Sequence, residues 1–174
     1  MKPLWRTAII LTAIAGAIIT ATLIFQRTNQ PSIALTEEWI ATQVAGGDSI
    51  IVRQIDGSQI EVELCGIDAP ELKQGETPGQ PLANEAKQKL QLLVTAADKQ
   101  LMVIPVEKDN KGLTVAEVMA YGKGETDISF QEELLKDGLA KMRKSGMECP
   151  NHLAFEQAQK IAKASKVGVW SQSN

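Results

Sequence analysis

The chain has 174 residues, with 18 Lys or Arg against 21 Asp or Glu and a formal net charge of −3. Three basic residues precede residue 28 and every acidic residue follows it, so the remainder carries 15 basic and 21 acidic residues. This excess of negative charge disfavours a large basic surface for binding nucleic acid, but it permits a local basic groove.

The N-terminal segment is strongly apolar. Residues 7–25 read TAIILTAIAGAIITATLIF, without charge or proline, and a helix of this length matches the hydrocarbon thickness of a bilayer. Lys2 and Arg6 precede the run, which predicts a cytoplasmic N-terminus and a domain outside, in a periplasm, at a cell surface or in a lumen. A cleaved signal has a shorter apolar region with small residues after it. We therefore favour a transmembrane signal-anchor over residues 1–27, with cleavage and secretion as the alternative.

The rest of the chain is predicted to form one domain. Residues 28–37 are polar and indicate a linker, and residues 38–171 have the length of one domain with one core. Short β-branched runs predict strands at 39–45, 49–55, 58–67, 101–106 and 114–120. Asp56-Gly57 indicates a tight hairpin between the second and third strands. Apolar residues at helical spacing predict helices at 82–93, 128–139 and 153–165. This order favours an α+β domain, an OB-fold five-stranded β-barrel with three helices.

Carboxylates cluster around the predicted hairpin. A chain reversal at Asp56-Gly57 brings Asp48 back beside the far end of the third strand, near Asp68. Pro70 then turns the chain, so that Glu71 can join the pair. Oxygen ligands gathered in this way suit Ca²⁺. The alternative is that the two aspartates are turn residues and that Glu71 is a solvated charge.

Several motifs resemble one family throughout the domain. The segments are GDSIIV, IEVELCGIDAPE, DNKGLTVAEV, ELLKDGLAKM and VGVWS, in order from about residue 44 to 171. They resemble the staphylococcal nuclease (thermonuclease) family, which implies the OB-type barrel and Ca²⁺-dependent hydrolysis of phosphodiesters in DNA and RNA. The resemblance implies that Asp48, Asp68 and the backbone carbonyl of Ala69 hold the ion. It implies that Glu71 orients or deprotonates the attacking water.

The resemblance fails at the two arginines of the family's active site. The one five residues before the aspartate of GIDAPE is Glu63 here, and the one closing D-x-Y-G-R is Leu113. The tyrosine of the latter motif is Lys111. Guanidinium groups bind phosphate bidentately and stabilise developing charge, so both losses weaken catalysis. We also expect Glu63 to lie on the wet face of its strand, where its charge repels a phosphate.

Three hypotheses about function follow. We favour a catalytically impaired nuclease-fold domain that serves as a binding or structural module at the membrane. The second is an active nuclease whose positive charge comes from Lys111, Arg143 or Lys144, which fall in segments bordering the family's cleft. In the third, Glu63 is a new metal ligand. Nucleic acid is a possible partner that the acidic balance disfavours, and we expect a monomer.

The two cysteines, Cys65 and Cys149, are predicted to form a disulfide. The domain is expected outside the cytoplasm, where cysteines pair. Cys65 is expected on the same wet face as Glu63, and Cys149 follows the GLA segment, which in the resembled family passes near the cleft. Two unpaired thiols are the alternative.

Overall fold

The computed structural model describes residues 37–108, 112–122, 126–143 and 149–171. All of them fall in one unit of the chain, Leu35–Asn174. The predicted membrane segment 7–25, the linker up to residue 36, Lys111 and Lys144 lie outside the described residues. Within the part of the chain that the structure describes, no helix has the length and apolar character needed to cross a membrane.

A closed β-barrel forms the centre of the domain. The strands are β1 (Glu37–Val44), β2 (Ser49–Arg53), β3 (Gln59–Leu64), β4 (Ile67–Asp68), β5 (Gln100–Lys108), β6 (Thr114–Ala120), β7 (Ile128–Ser129) and β8 (Lys141–Met142). Strand β1 pairs with β2 and β5, β2 with β3, and β5 with β6, all antiparallel. Parallel pairing of β3 with β6 closes the ring. The predicted five-stranded barrel is confirmed.

The hairpin between β2 and β3 reverses where the sequence predicts it. Arg53 pairs with Gln59 across the turn, and the Asp56 carboxylate accepts the backbone N–H of Ser58 at 2.8 Å. Gly57 has a φ of 89°, a conformation in which a Cβ is strained. The antiparallel register then places Ser49 opposite Glu63, which returns the start of β2 to the end of β3.

Replacing Gly57 by alanine isolates the cost of this turn. A Cβ at position 57 has no heavy atom within 4 Å, so the change adds no steric overlap. We expect the free energy of unfolding to fall by about 1–2 kcal/mol, the cost of a left-handed conformation for a residue with a Cβ. Urea denaturation would measure it, and an unchanged midpoint would show that the turn relaxes to another type.

Side chains that alternate along β2 and β3 fill the barrel. Ile50, Val52, Val62 and Leu64 are completely buried, while Glu61, directly before Val62, is exposed. This is the two-residue period of a strand with one face against a core, and it agrees with the predicted inward face of β3. The buried face fixes the register of the hairpin, because a slip by one residue would turn the apolar side chains outward.

Among the described residues, three helices pack on the barrel, as predicted, with limits that differ from the predicted ones by up to three residues. They are α1 (Ala83–Ala96), α2 (Phe130–Lys136) and α3 (His152–Ser165), followed by a 3₁₀ turn at Gly168–Trp170. Helix α2 was expected from residue 128. However, Ile128 and Ser129 pair with β6 as strand β7, and the Ser129 hydroxyl accepts the backbone N–H of Glu132 to cap the helix. Gly138, with a φ of 63°, follows its C-terminal end.

Candidate active site

Asp48 lies directly before β2 and is bonded to the segment that follows β3. Its backbone carbonyl accepts the N–H of Leu64 at 2.8 Å, and its carboxylate Oδ2 accepts the N–H of Ala69 at 2.9 Å. Asp68 precedes Ala69 at the end of β4 and is exposed. The hairpin therefore brings Asp48 beside Asp68 and Ala69, the three residues predicted to hold a cation.

The environment of the Asp48 carboxyl disfavours its ionised form. Burial raises its pKa to about 6, from an ordinary value of 3.8. The hydrogen bond from Ala69 lowers the pKa, the negative charges of Glu63 and Asp68 raise it, and the positive charge of Arg143 lowers it. An ionised Asp48 thus lacks full compensation within the protein, and a cation bound beside it would supply the missing charge.

The donor set suits a hard cation. Ca²⁺ accepts six to eight oxygen ligands from carboxylates, carbonyls and water, and Asp48, Asp68 and the Ala69 carbonyl offer such oxygens. Among the described residues, no group of three or more His, Cys, Asp or Glu side chains is arranged to hold a metal ion. The residues therefore fit a site with two carboxylates, in which water would complete the coordination. Affinity for Ca²⁺ falls as the number of charged ligands falls, so a site of this composition would bind the ion weakly.

Glu71 lies in the loop after Pro70, with its polar contacts inside that loop. Its carboxylate accepts from the Gln74 side chain at 3.4 Å. Its backbone N–H donates to the Gln80 side chain at 3.2 Å, and its carbonyl accepts the N–H of Gln80 at 2.8 Å. The side chain is exposed. The structure thus brings Asp48 and Asp68 together, and the described polar contacts of Glu71 lie within its own solvent-facing loop.

Glu63, at the position of one family arginine, is paired with Arg143. The Arg143 guanidinium donates to the Glu63 carboxylate in an ion pair. The expectation of a solvated Glu63 is thereby corrected, since its side chain is only 19% exposed and is paired with Arg143. Burial lowers the pKa of Arg143, but the bond to Glu63 and the charges of Glu63, Asp48 and Asp68 outweigh it and raise the pKa.

A short two-stranded sheet positions Arg143. In the pairing of β4 with β8, Asp68 faces Lys141 and Ile67 faces Met142. The backbone N–H of Arg143 then donates to the Gly66 carbonyl at 2.9 Å. Of the three candidate phosphate-binding cations, Arg143 is the one among the described residues. Leu113, at the position of the second family arginine, is half-buried directly before β6.

Cys65 and Cys149 form a disulfide, with Cα atoms 6.0 Å apart and a separation of 84 positions in sequence. Cys65 is completely buried in the core, which corrects its expected place on the wet face. The alternation of β3 ends at Leu64, because the chain turns at Cys65 and Gly66 before β4. The bridge joins the segment after β3 to the residues that precede α3.

Two buried polar residues bond neighbouring elements of the domain to one another. Glu117 in β6 is completely buried, and its carboxylate accepts from the backbone N–H and the side-chain amide of Asn151, at 3.1 and 2.6 Å. Gln131 in α2 accepts the N–H of Val118 at 3.3 Å and donates to the Ala116 carbonyl at 3.0 Å. Glu117 stands out in the sequence as a lone charged residue between Ala116 and Val118, whereas Gln131 is followed by Glu132 and Glu133 and is marked by no pattern.

A cavity of about 520 Å³ adjoins Asp68 and Ala69. Its walls also include Lys141, Pro81, Leu82 and part of the turn at Gly168–Trp170. The Lys141 ammonium also lies 5.0 Å from the centre of the Trp170 ring, within the range of a cation–π contact. A cleft therefore opens beside the carboxylates, with a positive charge on its wall.

The closed barrel, with two aspartates gathered beside a cleft, can be compared with known proteins. Residues 61–172 match the family model described as staphylococcal nuclease homologue. The chain belongs to the staphylococcal nuclease family.

Its relatives include proteins named as nucleases. It is 32% identical over 164 residues to the thermonuclease of Staphylococcus hyicus, covering 91% of this chain and 94% of that protein. It is 31% identical over 134 residues to the thermonuclease of Staphylococcus intermedius, covering 77% of this chain and 76% of that one. It is also 35% identical over 117 residues to the probable endonuclease LCL3 of Nakaseomyces delphensis, covering 65% of this chain and 44% of that protein.

Proposed function

We propose that the domain is a Ca²⁺-dependent phosphodiesterase that cleaves DNA or RNA slowly. The observation that carries this proposal is the pairing of Asp48 with Asp68 in a nuclease-family barrel, where burial and negative neighbours leave Asp48 short of positive charge. Slow hydrolysis follows from Glu63 and Leu113, since the arginine is missing at both family positions.

Each residue has a chemical task in this proposal. Asp48 and Asp68 would hold Ca²⁺, assisted by the Ala69 carbonyl, and the bound ion would neutralise charge on the phosphate. Glu71, carried by a solvent-facing loop, would accept a proton from the attacking water. The loss of one preorganised donor to the developing charge typically lowers kcat by about 10²–10³. Two losses give a larger decrease, although such effects do not simply multiply.

A non-catalytic binding module is the second candidate. The replacements at Glu63 and Leu113 favour it, because they remove the groups that stabilise the transition state without removing the carboxylates that hold a cation. Such a module would bind Ca²⁺ and a phosphate-bearing ligand without cleaving it.

We also propose that the domain acts as a monomer, tethered outside the cytoplasm by residues 7–25. The apolar run and the preceding Lys2 and Arg6 support the tether and its orientation. In intact spheroplasts the outer face of the membrane is accessible, so added protease should digest the domain. Extraction at high pH should leave the full-length chain in the membrane fraction. Release of a chain shortened at its N-terminus would instead indicate a cleaved signal.

The direct test of activity is a nuclease assay on the full-length chain in mild detergent. Single-stranded DNA and RNA would be incubated with Ca²⁺ or with chelator, beside an Asp68→Ala variant and the thermonuclease of Staphylococcus hyicus. We expect Ca²⁺-dependent cleavage that is about 10²–10⁴-fold slower than the thermonuclease and lost in Asp68→Ala. Cleavage no faster than that of the Asp68→Ala variant would contradict the proposed nuclease function and favour the non-catalytic binding module.

A further inference from the structure

The domain has two arginines, and they lie at opposite ends of the hairpin. Residues 38–171 contain only Arg53 and Arg143. Arg53 ends β2, at the opposite end of that strand from Asp48, and it is exposed. Arg143 follows β8 and acts electrostatically on both Asp48 and Asp68. Any guanidinium chemistry at the acidic end of the barrel therefore falls to Arg143.

The Arg143 side chain is anchored at both ends. Its backbone N–H bonds to the Gly66 carbonyl at 2.9 Å, and its guanidinium bonds to the Glu63 carboxylate. Both side chains are largely shielded, with 28% of Arg143 and 19% of Glu63 exposed. A shielded charge pair is screened less by solvent than a surface pair. It therefore restricts the guanidinium to a defined place rather than leaving it to sample the surface.

The anchored guanidinium can still bind an anion. The described hydrogen bond to Glu63 uses one nitrogen of the group, whereas a guanidinium carries five N–H donors. The remaining exposure of Arg143 leaves part of it open to solvent. Its planar fork matches two oxygens of a phosphate, which an ammonium group cannot do in the same geometry.

We propose that Arg143 is the phosphate-binding residue of this site and that Glu63 is its positioning residue. Strand β3 carries Glu63 where the family has an arginine. Its carboxylate instead holds the guanidinium of Arg143, which follows β8. The substrate class is a phosphodiester of single-stranded nucleic acid, so the inference rests on the proposed nuclease function. The carboxylate at position 63 then has a role of its own, since it is the partner that holds Arg143 in place.

The substitution Glu63→Gln separates this proposal from two other roles for Glu63, because the expected results differ in sign. If Glu63 positions Arg143, removing its charge lowers the cleavage rate, and it lowers the affinity for Ca²⁺ only slightly, through the loss of one negative charge near Asp48. If Glu63 repels the substrate, the cleavage rate rises. If Glu63 is a metal ligand, the affinity for Ca²⁺ falls as far as it does in Asp68→Ala. Calcium affinity from calorimetry on the full-length chain supplies a readout independent of cleavage.

The decisive experiment compares full-length Arg143→Gln, Glu63→Gln and the control Arg53→Gln. We expect Arg143→Gln to lower kcat/KM by about 10²–10³-fold and Glu63→Gln by about 10–100-fold, with Arg53→Gln unchanged. The charge-exchanged double variant Glu63→Arg/Arg143→Glu keeps the pair and returns a guanidinium to β3. We expect it to recover cleavage that both single substitutions lose. An Arg143→Gln variant as active as Arg53→Gln would overturn the proposal.

A binding measurement keeps the inference testable even if the chain cleaves nothing. The probe is a fluorescent single-stranded oligonucleotide with phosphorothioate linkages, titrated with Ca²⁺ present at several salt concentrations. One phosphate contact contributes about 0.7 to the slope of log affinity against log salt for single strands. We expect Arg143→Gln to reduce the slope by that amount and Arg53→Gln to leave it unchanged. Equal slopes for the two variants would refute phosphate binding by Arg143, whereas the absence of cleavage alone would refute only the proposed function.

Discussion

Replacing Asp48 by asparagine is expected to stabilise the Ca²⁺-free domain by about 3 kcal/mol at pH 7. The pKa of Asp48 is about 6 in the folded protein against 3.8 ordinarily, and each unit of difference corresponds to about 1.4 kcal/mol. At pH 7 the folded state must hold a charge that its surroundings disfavour. Asparagine removes the charge, and its side-chain oxygen can still accept the N–H of Ala69. The measurement is urea denaturation with chelator present.

The same shift predicts how stability changes with pH. Because the folded state retains the Asp48 proton up to about pH 6, it binds more protons than the unfolded chain between about pH 4 and 6. The free energy of unfolding contributed by this group therefore falls as pH rises through that window. It is constant at higher pH. Asp48→Asn should remove this contribution, and added Ca²⁺ should recover stability in the native sequence at pH 7 but not in the variant.

A suitable control lies at the other end of the same hairpin. Asp56 is exposed, and hydrogen bonds from Ser58 lower its pKa. Asp56→Asn should therefore leave the fall in stability between about pH 4 and 6 in place. If Asp48→Asn instead destabilised the Ca²⁺-free domain at pH 7, the charge of Asp48 would already be compensated within the protein, and the argument for a cation would lose its electrostatic support.

Removing the Cys65–Cys149 disulfide is expected to destabilise the domain by about 4 kcal/mol. The bridge links residues separated by 84 positions, and a loop of that length loses much conformational entropy when it is closed in the unfolded chain. This is a large share of the roughly 5–15 kcal/mol that stabilises a typical protein. The measurement is denaturation of the full-length chain with and without reductant, and of Cys149→Ser.

The variant also provides the control for the reductant. Cys149→Ser has no bridge to break, so reductant should leave its denaturation midpoint unchanged while it lowers that of the native sequence. Equal midpoints for the oxidised and the reduced native chain would contradict the expected stabilisation.

Local signals in the sequence predicted most of the barrel. Asp56-Gly57 located the β2–β3 turn, and the alternation of Val62 and Leu64 with polar residues gave the inward face of β3. Both patterns depend on neighbours within a few residues, where turn chemistry and the strand period dominate. The proximity of Asp48 to Asp68 followed from the same hairpin, so this half of the candidate site was predictable.

Features that depend on contacts between residues far apart in the sequence were harder to predict. The partner of Glu63 is 80 residues away in sequence, and no periodicity connects the two positions. Cys65 was expected to face water, because the alternation of β3 was extended one residue beyond its end. Helix α2 was predicted two residues too long at its start, because apolar Ile128 fits a helical pattern as well as the strand pairing that it makes with β6. In each of these three places, contacts between residues distant in sequence determine the local structure.

The spacing of the contacts around the site also implies an order in which its parts form. The bond between Asp48 and Ala69 spans 21 residues, whereas the Glu63–Arg143 pair spans 80. Closing a longer loop loses more entropy, and contacts between distant residues slow folding. We expect the hairpin with its two aspartates to become ordered early and Arg143 to arrive after the barrel has closed. During folding, the two aspartates would therefore come together before Arg143, the positive group that balances their charge, reaches them.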